Sequence, residues 1–143
     1  MATFERRQVH LTIPVAPDME IAATAQVAAL GEWMEMGRDK IDEVKLAVVE
    51  ACINAFEHSG TPDRQVRLDF VADEAGGRVF LEVDVRDGGH GFDPSQVETP
   101  EIAAKLKDKR KRGWGIRIIE SLMDDVTIES GAGGTRIKMR KYR

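Results

Sequence analysis

With one cysteine, Cys52, the chain can form no internal disulfide, and three scattered histidines leave a Cys/His zinc site short of ligands. No stretch approaches the apolar length that spans a bilayer, and the N-terminus has no apolar secretory core. A net charge of −4 gives no global attraction to nucleic acid or to an acidic membrane. Repeats, low-complexity tracts and long linkers are missing as well. These absences lead to the expectation of one cytoplasmic domain over residues 1–143, with no membrane and no direct nucleic-acid partner. Two phosphate-binding signatures are also lacking. There is no G-x-x-x-x-G-K-[ST] loop, and Gly89-His90-Gly91 does not continue to G-x-G-x-x-G before a helix.

What remains is the composition of an ordinary globular protein. Apolar residues make up 42% of 143 and charged residues 32%, enough for a core. Val9, Leu11 and Ile13 alternate with polar residues as a strand over Gln8 to Ile13, ended by Pro14 and Pro17. Asp18 reads as the N-cap of an Ala-rich helix that runs to about Met36 and is closed by Gly37. A second helix opens at Asp39 or Lys40 and ends by Ser59-Gly60. Val66, Leu68 and Phe70, then Val79, Leu81, Val83 and Val85, form a hairpin around the turn residues Asp73 to Gly77. A further helix carries Ile116, Ile119, Leu122 and Met123 on one face. Val126, Ile128 and Ile137, Met139 form two closing strands. The order predicts an α+β fold with a mixed or antiparallel sheet and helices on one face.

The second helix carries the chemistry. At about 100° per residue, Glu50, Asn54 and Glu57 share a narrow stripe, with His58 beside it. Ile41, Val44, Val48, Cys52 and Ala55 lie opposite, and Val49, Ala51, Ile53 and Phe56 fill the flanks. A helix apolar nearly all round is expected to be largely buried. Its carboxylate and carboxamide then need partners, which a Mg²⁺ ion bearing phosphates would supply. Cys52, on the apolar side, reads as a packing residue.

Taken singly, each signal has a plainer reading. Glu and Asn four apart are commonly a solvated face. Asp87-Gly88 can be a hairpin turn, Gly113 a helix entry, His58 a helix-end residue and His90 an exposed loop residue. Trp114 fits either a core or a lid. Taken in order, the boxes are more specific. They are Glu50-x-x-x-Asn54-Ala55-x-x-His58, Asp87-x-Gly89-x-Gly91 after a strand, Gly113-x-Gly115 opening a helix, and Gly133-Gly134-Thr135 before the last strand.

That order resembles the ATPase superfamily of gyrase, heat-shock chaperones, histidine kinases and MutL. Glu-Ala-Cys-Ile-Asn-Ala in the central helix and Glu120-Ser121-Leu122-Met123-Asp124-Asp125-Val126 near the end are similar to the bacterial anti-sigma factor serine kinases. The resemblance covers almost the whole chain and implies a Bergerat-type two-layer sandwich. It implies ATP and Mg²⁺ as cofactors, with Glu50 as general base and Asn54 holding the metal. Asp87 would accept from the adenine amino group, and Gly89 and Gly91 would let the backbone pass close to the nucleotide. Gly113 and Gly115 would form a lid hinge with amides toward phosphate, and Thr135 would contact the base. The lid itself would be residues 95 to 112. It ends in a basic run from Lys105 to Arg112 with six cations and one acid, of which Lys111 or Arg112 would meet the γ-phosphate. A solvated face is the alternative for that run. Trp114 departs from the lid pattern.

The resemblance further implies a serine-protein kinase that phosphorylates a STAS-type anti-anti-sigma protein and sequesters a sigma factor. A nucleotide-dependent partner-switching module with little kinase activity is the alternative. A histidine-kinase catalytic domain is a third reading, without a phosphoacceptor histidine on a dimerising helix to support it. A homodimer built from the first strand and the Ala-rich helix, which offers Trp33 and Met34, completes the expectations.

Overall fold

The computed structural model describes residues 3–58, 65–88, 112–131 and 133–143. Along the chain run β1 (Arg7–Pro14), α1 (Glu20–Trp33), α2 (Arg38–His58), β2 (Gln65–Ala75), β3 (Arg78–Asp87), α3 (Arg112–Leu122), β4 (Asp125–Gly131) and β5 (Gly134–Tyr142). The strands form one sheet in the order β1-β2-β3-β5-β4, and every neighbouring pair is antiparallel. The period-two alternation sends one row of side chains to each face. Val66, Leu68, Phe70, Leu81, Val83, Val85, Ile137 and Met139 are buried on the inner face, in one cluster with the helices. The outer face carries ion pairs: His10 and Arg86 with Asp69, Arg136 with Asp84 at 2.6 Å, and Arg140 with Glu82 at 3.3 Å. The hydrogen bonds from Arg136 to Asp84 raise the guanidinium pKa above its ordinary value. A sheet greasy on one side and charged on the other accepts helices on one side only.

Local chemistry sets the joints. Gly76 (φ 60°) and Gly77 (φ 79°) both adopt the left-handed conformation, so two residues turn β2 into β3. The hairpin is therefore tighter than its composition suggests. Asp73 and Glu74, expected in the turn, pair with Phe80 and Val79. Pro14 is the last residue of β1 rather than its stop, which an edge strand tolerates.

The ends of α1 differ from expectation. Asp18 is not an N-cap: it sits at φ 70° and its carbonyl accepts the Ile21 amide, while Met19 caps without a side-chain bond. Nor does Gly37 close the helix. Glu35 takes the left-handed position at φ 59°, its amide donates to Glu32, and the Met36 amide donates back to Gly31. These two bonds are a Schellman end, and Met36 is buried beneath it. Met34 is buried as well, so it is no part of a dimer surface. Trp33 stacks edge-on to Phe4 at 5.2 Å, with Arg7 over its ring.

α2 lies across the inner face of the sheet. Ala47, Val48, Ala51 and Ala55 are buried on its inner side, where small residues let the helix approach closely. It is not buried all round as its composition suggests, because Leu46 is 47% exposed on the outward side. α1 packs on one flank of α2 and α3 on the other. Among the described residues no helix is long and apolar enough to cross a membrane.

The α1–α2 contact depends on Gly31. A Cβ added there would lie 2.7 Å from Cγ1 and 2.9 Å from Cδ1 of Ile41, whereas Gly37 has open space around it. Gly31→Val is expected to lower stability by about 1–3 kcal/mol. Gly37→Ala is expected to change it by no more than about 0.5 kcal/mol. Urea unfolding midpoints of the two variants check this, and equal midpoints would place the α1–α2 contact elsewhere.

Candidate functional site

Glu50 and Asn54 stand one turn apart on α2 and are 7% and 3% exposed. Residues four apart on a helix lie one above the other, so the two polar heads form one patch. The patch faces α3. A Cβ placed on Gly115 would lie 3.3 Å from Oε2 of Glu50, so the missing side chain brings the α3 backbone up to the carboxylate. Glu50 has interactions within the protein. Asn54 differs: both Oδ1 and Nδ2 are buried without a hydrogen-bond partner. Leaving such groups unmade costs about 1–3 kcal/mol, so the fold tolerates a carboxamide in a place that favours an apolar residue.

A second cluster forms at the end of the sheet. Asp87 closes β3 and pairs in register with Thr135 of β5. Both are buried and, by alternation, point toward the helix layer. The Thr135 hydroxyl lies 3.0 Å from that of Ser130. Gly134 holds this corner together. Its φ is 115°, and a Cβ there would lie 2.1 Å from the Asp87 carbonyl oxygen and 3.0 Å from Cα of Gly88. Only glycine fits, and its close approach fixes the strand end from which the Asp87 carboxylate projects. An open groove of about 280 Å³ is lined here by Asp87, Ser130, Gly134 and Thr135, together with Arg86 and Arg136.

The structure thus brings Glu50, Asn54 and Gly115 into one cluster and Asp87 and Thr135 into another. Arg112 and Gly113 are the first residues of α3. Gly89, Gly91, His90, Lys111 and the expected lid from residue 95 to 111 lie outside the described residues. The sequence places Gly134 only in the Gly133-Gly134-Thr135 box, with no contact of its own. Its role needs the β3–β5 register, which no local pattern states. Cys52 is fully buried, and burial pushes its thiol up to about 12, with Glu20 adding to the shift. It stays protonated at neutral pH and serves packing.

Among the described residues no group of three His, Cys, Asp or Glu side chains could hold a metal. The donor on offer is the Asn54 carboxamide oxygen beside a carboxylate. That suits a hard cation that keeps water and phosphate oxygens as its other ligands, the habit of Mg²⁺ in nucleotide sites. The unpartnered carboxamide therefore fits a metal–nucleotide ligand.

Comparison with known proteins agrees with the architecture. The model of a histidine kinase-like ATPase domain matches residues 13–141. A serine-protein kinase RsbW of Bacillus velezensis is 30% identical over 142 residues, covering 94% of this chain and 84% of the relative. An anti-sigma F factor of Bacillus cytotoxicus is 30% identical over 141 residues, covering 96% and 93%. Among solved structures, the RsbU and RsbW domains of a Mycobacterium tuberculosis protein superimpose with a TM-score of 0.68 at 20% identity, over 96% of this chain and 33% of that one. A histidine kinase domain from Erythrobacter litoralis gives 0.52 at 16% identity, over 99% and 69%. At these identities the structures speak for the fold, the two-layer sandwich with helices on one face.

If the Asn54 carboxamide is held at a cost, an apolar side chain of similar volume relieves it. Asn54→Leu is expected to raise the stability of the nucleotide-free protein by about 1–3 kcal/mol in urea unfolding. A loss of stability in this variant would mean that the carboxamide is already satisfied inside the fold.

Proposed function

We propose a phosphotransfer function on one premise: the chain belongs to the histidine kinase-like ATPase domain family. Within it the protein is an ATP-dependent serine-protein kinase. It acts on a STAS-type anti-anti-sigma protein and sequesters a sigma factor in the cytoplasm. The names of its relatives, a serine-protein kinase and an anti-sigma factor, support the two halves of this reading. The observation that carries the nucleotide site is the buried, unpartnered Asn54 carboxamide one turn from Glu50.

Bound Mg-ATP would supply the transferable phosphoryl group and the cation that offsets its charge. The protein supplies positions and a proton acceptor, which is most of what phosphoryl transfer asks of it. The Asn54 oxygen would hold the cation, and its NH₂ would be left to donate to a phosphate oxygen. The Glu50 carboxylate takes the proton of an incoming hydroxyl. Gly115, by lacking a side chain, lets the α3 backbone stand against that carboxylate. Asp87, an acceptor-only group when ionised, suits the amino group of adenine, and Thr135 adds a hydroxyl beside it. Assembly as a homodimer would use β1, an edge strand, together with Trp33 of α1.

Two substitutions separate binding from chemistry. Glu50→Gln keeps the shape but accepts no proton, so it should bind ATP normally in calorimetry and transfer phosphate about 10²–10⁴-fold more slowly. Asp87→Asn keeps the shape but presents a donor as well as an acceptor, and should weaken ATP binding by about 1–3 kcal/mol. Incubation with labelled ATP and purified STAS-domain proteins reads the transfer. Full activity in Glu50→Gln would make that residue structural, and unchanged affinity in Asp87→Asn would remove it from the base site.

A further inference from the structure

Large apolar side chains are exposed at three places among the described residues: Ile21, Leu46 and Trp114. Two of the three bracket Glu50. Leu46 precedes it by one turn of α2, and Asn54 follows it by one turn. The carboxylate therefore sits between a buried polar neighbour on one side and an exposed apolar one on the other. Trp114 is the residue before Gly115, whose missing Cβ lies against Oε2 of Glu50. It is 55% exposed and so belongs to no core.

Helical geometry places these side chains on adjoining rims. At about 100° per residue, Leu46 is about 40° from Glu50 toward solvent, and half-buried Ile53 shares its stripe. On α3, Trp114 is about 100° from Gly115 on the outward side, with half-buried Ile118 one turn on. α2 and α3 pack side by side, so the four line the solvent side of their junction.

We propose that Leu46 and Trp114 are the docking point for the protein whose hydroxyl meets Glu50. They grip a bulky apolar side chain next to the phosphoacceptor serine or threonine. This rests on the kinase reading above. A nucleotide has no use for the patch, since phosphates belong at the buried polar end. A small alcohol would reach the carboxylate without touching either residue. A protein substrate presents a hydroxyl and a neighbouring side chain together, which matches a base flanked by an exposed leucine and tryptophan. Tryptophan is also the residue type most enriched where interface energy concentrates.

The test uses the whole chain and a panel of purified STAS-domain proteins. Wild type, Trp114→Ala, Trp114→Phe, Leu46→Ser and the Leu46→Ser/Trp114→Ala double variant are compared. Calorimetry reads ATP affinity, steady-state transfer reads KM and kcat for the acceptor, and surface binding of the Mg-ADP form reads docking without chemistry. The proposal expects KM for the acceptor to rise about 10–30-fold in Trp114→Ala, and further in the double variant. It also expects ATP affinity unchanged, kcat within about threefold, and most of the loss restored in Trp114→Phe. An acceptor phosphorylated with unchanged KM in the double variant overturns the docking point and leaves the kinase reading standing. Binding without phosphorylation, lost in the double variant, supports the docking point and overturns the kinase reading. Neither binding nor phosphorylation by wild type overturns both. If the double variant instead changes the mass in light scattering from dimer to monomer, the patch joins two copies of this chain and the proposal fails.

Discussion

A carboxamide without a hydrogen-bond partner, buried within the fold, is unfavourable by about 1–3 kcal/mol, and α2 places Asn54 in that position. It is the only asparagine in the chain. Much of the architecture serves to hold it and Glu50 still. α2 rests on the sheet through Ala47, Ala51 and Ala55, which are small enough for a close approach. α1 presses against one flank at Gly31, which leaves room for Ile41, and α3 approaches the other at Gly115. A helix fixed on three sides has little freedom to turn its polar stripe toward water. The strain of an unmade hydrogen bond is then available to a ligand that can make it, which is how a site favours bound over free ligand without moving.

The sheet contributes a second fixed point. Asp87 and Thr135 are neighbours because β3 and β5 pair antiparallel in that register. Their spacing is set by a glycine that brings one backbone against the other. Gly134 admits no substitution with a Cβ, since the nearest obstacle is the Asp87 carbonyl oxygen rather than a side chain that could rotate. The outer face of the sheet, with its ladder of ion pairs, plays no part in either cluster. Its exposed pairs contribute little to stability, but they keep the helices on one side and so define which face becomes the site.

Much of this was legible in the residues. The alternation of Val79, Leu81, Val83 and Val85 and the stripe Glu50–Asn54 state the strand and the helix face directly. Local rules go no further, and the failures have physical causes. Asp18 and Glu35 occupy left-handed positions usually given to glycine or asparagine, so Gly37 reads as the helix stop although Glu35 is. Leu30 and Leu46 are both helix leucines, yet one is buried and the other exposed. Only the packing of α1 and α3 against α2 decides which. By residue type Trp114 fits core or lid equally; the docking of α3 on α2 with Gly115 inward leaves it outside the core. Gly134 can be told apart from Gly133 only through the strand register that sets it against Asp87.

The buried, unpartnered Asn54 carboxamide is proposed to await a metal–nucleotide ligand. The side-chain amide of Asn54 reports on this in a nuclear magnetic resonance titration of isotope-labelled protein, assigned by its loss in a variant lacking the asparagine. The Asn54 amide pair is expected to shift on saturation with Mg-ATP, and to shift much less when the metal is removed by chelation. An Asn54 amide that stays in place while backbone signals at Asp87 and Thr135 report bound Mg-ATP would contradict it.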